Sequence, residues 1–217
     1  MSPRKQSGIS MIEIAIGLAI LGISMAWAIP SYTVWMQNTQ IRNMADSIAQ
    51  GLQQARSEAI KRNAYVEFVL TSQTPTIANE DTASLGNTGG RNWVVRAIVN
   101  NLIDPTDYNF VTGSPSAAGS QNATVTASDN ALATNLTTVT FNGLGRVAGS
   151  PPLSTANDDG SAFINKICVR SSTLTVTAGA RIMEIDVGAA GQIKMCDPTV
   201  TAATDTRRCV AAAPRCS

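Results

Sequence analysis

Histidine is absent from all 217 residues. That removes the usual base for a Ser–His or Cys–His nucleophile pair and the commonest nitrogen ligand for zinc. No Gly-rich phosphate loop and no paired-carboxylate motif takes their place. Charged residues make up only 14% of the chain and aromatic residues 5%, with a net charge of +1, so no basic excess argues for nucleic acid. An enzyme is not expected, nor a cofactor or a resident metal. The chain does carry many small polar residues in its second half, the composition of an exported, β-rich domain with long loops.

It also carries one long apolar run, Gly8 to Met36, interrupted by a single charge at Glu13, with Arg4 and Lys5 before it. A bilayer core of ~30 Å takes roughly 20 apolar residues in a helix, and 9–29 supplies them. Basic residues ahead of the run hold the N-terminus in the cytoplasm. The run is longer than the apolar core of a cleaved secretory signal and has a carboxylate near its start, where such signals are purely apolar. A plain anchor leaves Glu13 without a reason. An ionisable group at membrane depth costs ~2.5 kcal/mol or more and marks a function with a partner.

Beyond Pro30, Ile41, Met44, Ile48, Leu52, Ala55 and Ala59 fall three and four residues apart, one stripe of a helix. Arg42–Asp46 and Glu58–Arg62 sit four apart and add about 0.3 kcal/mol each. Pro30 removes one backbone hydrogen bond and predicts a bend, and Asn63 marks a stop. Strands are expected at 64–71, 92–99, 123–127, 137–141, 163–170, 172–178, 181–187 and 192–196. Loops are expected at 72–91, 100–121 (with a short apolar piece at 108–111) and 149–161. The fold class is α+β, a long N-terminal helix packed on an antiparallel β-rich domain. The divisions are a basic leader at 1–8, a helix at 9–63 with 9–29 in the membrane, a β-rich domain at 64–196 and a tail at 197–217. Cys168, Cys196, Cys209 and Cys216 all lie late, and an even number in an exported domain favours disulfides, with three pairings open. One that pins the tail to Cys196 or to Cys168 is expected.

The N-terminal stretch resembles the class III signal of the type IV pilin and pseudopilin superfamily. In that family a basic leader ends in Gly, a prepilin peptidase cuts after it on the cytoplasmic side, the new N-terminus is N-methylated, and a Glu is its fifth residue. Gly8, Ile9 and Glu13 match those positions, and Pro30 falls where such helices often carry a Pro. Ile9 departs from the commoner Phe or Met. Two further stretches, ARSEAIKRN (55–63) and FNGLGRV (141–147), resemble the group that holds pseudopilin H of type II secretion and the minor pilins FimT and FimU.

The resemblance implies a structural subunit that helps assemble or prime a type IV pilus. Its partners would be other minor and major pilins at a hetero-oligomeric filament tip, and prepilin peptidase. It would be held single-pass in the inner membrane, with its C-terminal domain in the periplasm, before entering the surface filament. It also implies that Glu13 meets the N-terminal amine of a neighbouring subunit. A pseudopilin H role is the alternative. Some FimT-type pilins bind DNA through a Gly-Arg-x-Arg motif. The corresponding piece is Gly191-Gln192-Ile193-Lys194, with Arg207, Arg208 and Arg215 further on, against Asp197 and Asp205. That footprint is small, so a docked tail is expected rather than a DNA contact. Some pseudopilins bind calcium, and NDDG (157–160) offers carboxylates, but it makes an Asx turn unaided and an oxygen cage needs more ligands.

Overall fold

The computed structural model describes residues 8–76, 90–99, 108–115, 120–128, 137–148, 164–209 and 216. They fall into two compact units, one up to Met36 and one from Gln37. Helix α1, Met11–Arg62, is the single described helix long and apolar enough to cross a membrane. It starts two residues later than the sequence reading and ends one residue earlier. In the first unit its apolar side chains are exposed on every side, from Ile12, Ile14 and Ile16 through Leu21 and Ile23 to Tyr32 and Trp35. The helix assignment runs on through Pro30 without a break, and the Pro30 side chain lies outside the described residues.

In the second unit α1 behaves differently. Ile41, Met44, Ala45, Ile48, Leu52, Ala55 and Ala59 are buried, the stripe that their spacing predicts. The opposite face carries Arg42–Asp46 at 3.8 Å and Glu58–Arg62 at 2.8 Å. The helix stops at Asn63, whose φ of 47° is left-handed, a conformation Asn adopts more readily than most residues.

The strands form two antiparallel sheets. Strands β1 (Val66–Thr71), β2 (Asn92–Ile98), β3 (Tyr108–Ser114) and β5 (Thr138–Phe141) lie in the order β3-β2-β1-β5. Strands β4 (Ala123–Ser128), β6 (Lys166–Ser171), β7 (Met183–Val187) and β8 (Ile193–Cys196) lie in the order β4-β6-β7-β8. The α1 stripe joins both in one core. Val66, Phe68, Trp93 and Val95 come from the first sheet, Val125, Ile167, Val169 and Ile185 from the second. Gly51 lets α1 approach the first sheet closely: a Cβ there would stand 2.8 Å from the Phe68 ring and 2.9 Å from Trp93. Trp93 also donates its indole N–H to Ser47 Oγ at 3.0 Å.

Strand β3 is longer than the short piece expected at 108–111, and its pairing with β2 shifts between Val95 and Arg96. The strand expected at 172–178 is not one. After Ser171 the chain turns, because Ser171 Oγ accepts the backbone N–H groups of Thr173 and Leu174. Gln37 Oε1 accepts the hydroxyls of Ser171 and Thr173, and a 3-10 turn at Val176–Ala178 follows. Ser and Thr side chains that bond the local backbone compete with a strand ladder, which overrides the Thr/Val alternation. The loops expected at 149–161, most of 72–91, and the NDDG segment lie outside the described residues.

Because Leu52 is fully buried where α1 meets both sheets, Leu52→Ala is expected to cost about 3 kcal/mol. The exposed Gln53→Ala is expected to cost under about 0.5 kcal/mol. Urea unfolding of the unit from Gln37 measures both, and equal losses would contradict a shared core.

Candidate functional site

The first cluster of sequence-predicted residues is the start of the chain. Gly8 and Ile9 precede α1, so the bond between them lies outside the helix, and Ile9 is 74% exposed. The Ser10 carbonyl accepts the N–H groups of Glu13 and Ile14 at 3.0 and 3.3 Å and opens the helix. Glu13 lies in the first turn, where a carboxylate favours the unpaired N–H groups of a helix start. It is exposed among apolar neighbours. The segment therefore places an exposed Gly–Ile bond just ahead of the helix and an acid with apolar surroundings in its first turn.

The two other resembling stretches meet each other. Arg56 Nε donates to the Gly145 carbonyl at 3.0 Å. Gly145 has φ 71°, and a Cβ on Gly143 would stand 2.5 Å from Asn63 Oδ1. So Gly145 supplies the backbone angle and Gly143 the space beside the helix end. Asn142 Oδ1 accepts the N–H groups of Leu144 and Arg146 and closes the turn. A third segment joins them. Gly191, φ 79°, ends the turn between β7 and β8, and a Cβ there would lie 1.9 Å from the Gly145 carbonyl oxygen. Val147 N–H donates to the Ala189 carbonyl at 3.1 Å. Helix end, β5 turn and β7–β8 hairpin thus form one joint. Sequence reasoning singled out 55–63, 141–147 and Gly191 separately but not their meeting, because they are distant in sequence.

The tail is held covalently. Cys168 on β6 bonds Cys216, and Cys196 at the end of β8 bonds Cys209. Asp197 N–H donates to the Arg207 carbonyl at 2.7 Å. Arg207 grips Asp205 through Nε at 3.1 Å and through a terminal nitrogen at 2.7 Å, which holds the Asp205 carboxyl down at about 2. Of the basic residues considered for DNA, Lys194 lies on β8 opposite Asp186, Arg208 is exposed beside its bridge to Asp197, and Arg215 lies outside the described residues. Arg207 is committed to a carboxylate, so the described part of this region does not gather an unopposed positive patch.

Glu184 lies under both disulfides. It is fully buried on β7, in register with Cys168 on one side and Cys196 on the other. Lys166 Nζ donates to it at 2.8 Å and stands 3.4 Å from Asp186 Oδ1. Burial pushes the Glu184 carboxyl above its ordinary range, against the lowering effect of Lys166 and with some help from Asp186. Cysteine sulfurs and the Glu184 carboxylate come close enough together to hold a metal, but both cysteine pairs are spent on disulfides and leave no thiolate to donate.

A family model described as type II transport protein GspH matches residues 44–191, and one described as the prokaryotic N-terminal methylation motif matches residues 3–29. No curated protein matches the chain. Two crystal structures of the Pseudomonas aeruginosa type IV minor pilin FimU are similar to it at 14% identity. One, in space group P21, has a TM-score of 0.38 over 74% of this chain and 91% of that one. The other, in P65, has 0.36 over 71% and 90%.

Lys166→Met would leave Glu184 and Asp186 without their cation, at an expected cost of about 3 kcal/mol near neutral pH. Since Glu184 titrates higher folded than unfolded, its effect on stability worsens as pH rises through the raised folded value. The variant's deficit is therefore expected to shrink on acidification, as Glu184 takes up a proton. Urea unfolding across a pH series reads this directly, and a deficit that does not change with pH counts against the assignment.

Proposed function

The chain belongs to the family of the type II transport protein GspH, and from that premise we propose that it is a minor pilin, a low-copy subunit that helps prime a type IV pilus. The observation that carries this reading is the N-terminal methylation motif over residues 3–29, with Glu13 in the first turn of an apolar helix. Prepilin peptidase would cut between Gly8 and Ile9, and Ile9 would be methylated. The apolar part of α1 would sit in the inner membrane, with the unit from Gln37 in the periplasm, until the helix is drawn into a filament among other minor and major pilins. Inside that apolar environment the Glu13 carboxylate needs a cation, and the Ile9 amine of an adjoining subunit is the repeating one available. No catalytic role is proposed, since the chain offers no histidine to activate a nucleophile.

The second reading, a pseudopilin at the tip of a type II secretion system, is favoured by the name of the matching family. The Cys-containing tail, whose stretch 197–209 looks more like the minor pilins FimU and FimT than like pseudopilin H, favours the pilus. In the source organism, deletion of the gene is expected to abolish surface pili and leave protein secretion intact, and the reverse outcome selects the secretion system.

Two further outcomes follow for individual residues. Glu13→Ala is expected to be cleaved after Gly8 as in the wild type but to be missing from sheared filaments on immunoblots. Normal incorporation would rule out the carboxylate–amine pair. Because Arg207 already holds Asp205, the domain from residue 38 is expected to bind duplex DNA no tighter than ~10⁻⁴ M at physiological salt. Tighter, salt-sensitive binding that disappears in an Arg207→Ala/Arg208→Ala variant would restore the DNA reading.

A further inference from the structure

Strands β6 and β7 turn one face to the core and the other away from it. Alternation puts Ile167, Val169 and Ile185 on the first face, and Lys166, Cys168, Glu184 and Asp186 on the second. Lys166 and Asp186 stand directly opposite one another across the two strands, and Glu184 is two residues along β7 from Asp186. Lys166 and Glu184 are buried, so their charged ends are out of water. Lys166 Nζ lies 2.8 Å from Glu184 Oε1 and 3.4 Å from Asp186 Oδ1. That second oxygen is buried and accepts no hydrogen bond among the described residues. One amine and two carboxyl groups are thus gathered in a single, largely dry place.

Charges in such a place are costly, and a proton moved along the Lys166–Glu184 hydrogen bond removes two of them at once. Glu184 is suited to hold that proton, because burial already pushes its carboxyl above the ordinary range and Asp186 adds to the effect. A neutral amine is then left beside the Asp186 carboxyl, with the two strands fixing its position. Groups held within roughly 3.5 Å by a folded chain react as if at a concentration far above any reached in solution. Asp186 also reaches the surface, with 23% of its side chain exposed, which gives a small leaving group a way out.

We propose that Lys166 and Asp186 join in an intramolecular isopeptide bond, with Glu184 as the acid and base that makes it. Lys166 passes a proton to Glu184, and the freed amine attacks Asp186 Cγ. Glu184 returns that proton to the departing oxygen, which takes a second proton from the attacking nitrogen and leaves as water. One Nζ–Cγ bond forms, one Cγ–O bond breaks, nothing is oxidised or reduced, and Glu184 ends as it began. The ion pair is the state of the newly folded chain, from which the bond closes. The chain modifies itself once and turns over no substrate. Once made, the bond ties β6 to β7 beside Cys168–Cys216 and Cys196–Cys209, and unlike them it survives reduction. The reaction needs only residues of the unit from Gln37, so it stands apart from any role in a filament or in secretion.

The test is the mass of the full chain, purified, folded and held for several days at neutral pH, then reduced and denatured. That mass is expected to fall short of the sequence by one water. Tryptic cleavage after Lys166 is expected to be lost, with the Lys166 peptide joined to the one that holds Asp186. Asp186→Asn is expected to close the same bond with loss of ammonia in place of water. Glu184→Gln, in chains that have formed both disulfides, is expected to keep its full mass. A wild-type chain that forms both disulfides and keeps its full mass overturns the bond. A link from Lys166 to Glu184 instead, or water lost by Glu184→Gln as fast as by the wild type, overturns the roles assigned to the two acids.

Discussion

The stripe of α1 from Ile41 to Ala59 must serve two sheets at once. Each sheet has four strands and brings its own buried set to this stripe. Each sheet needs a second layer against which to bury its apolar face. The helix supplies the missing layer for both. That explains the small residues along it: Ala45, Ala55 and Ala59 are fully buried, and Gly51 admits the rings of Phe68 and Trp93. The sequence beyond Gln37 is thus tuned for contact, while the sequence before it is apolar all round and makes no such distinction between faces.

Polar groups inside the domain are held in matched sets. On the first sheet Glu67 accepts from Arg96 at 3.0 Å and from Thr140 at 3.3 Å, and the Arg96 guanidinium stacks on the Tyr108 ring at 3.5 Å. On the second, Lys166 serves Glu184 and Asp186. Buried ion pairs contribute little net stability, but each is costly to break on one side. They constrain strand register, because a slip of one residue would carry each charge to the opposite face. The two disulfides then close over the Glu184 side of this arrangement and bring the tail with them.

Legibility in the sequence followed range. The helix stripe, its i,i+4 ion pairs and most strands come from patterns a few residues long, and those patterns are set by burial on one face. The strand at 172–178 misled because its Thr/Val alternation is shared with strands, whereas the deciding bonds come from Gln37 and Asn38, more than a hundred residues away. Likewise 141–147 stands out as a stretch, but nothing near it announces Arg56 or Gly191 as its partners. Cysteine pairing was open for the same reason. The N-terminal methylation motif over 3–29 was legible because it is contiguous in sequence.

The joint between Gly145 and Gly191 is made of main chain, with a carbonyl oxygen occupying the place a side chain would need. Such a joint has one permitted spelling and no intermediate strengths. Residues just outside it are under no comparable restriction: Leu144 is 77% exposed at the tip of the turn, and Lys194 is exposed on the neighbouring strand. The scaffold is therefore insulated from its own outer surface. Substitutions at Leu144 or Lys194 change what an adjoining molecule meets while the helix, turn and hairpin keep their relative positions, so recognition can diverge without the architecture having to follow.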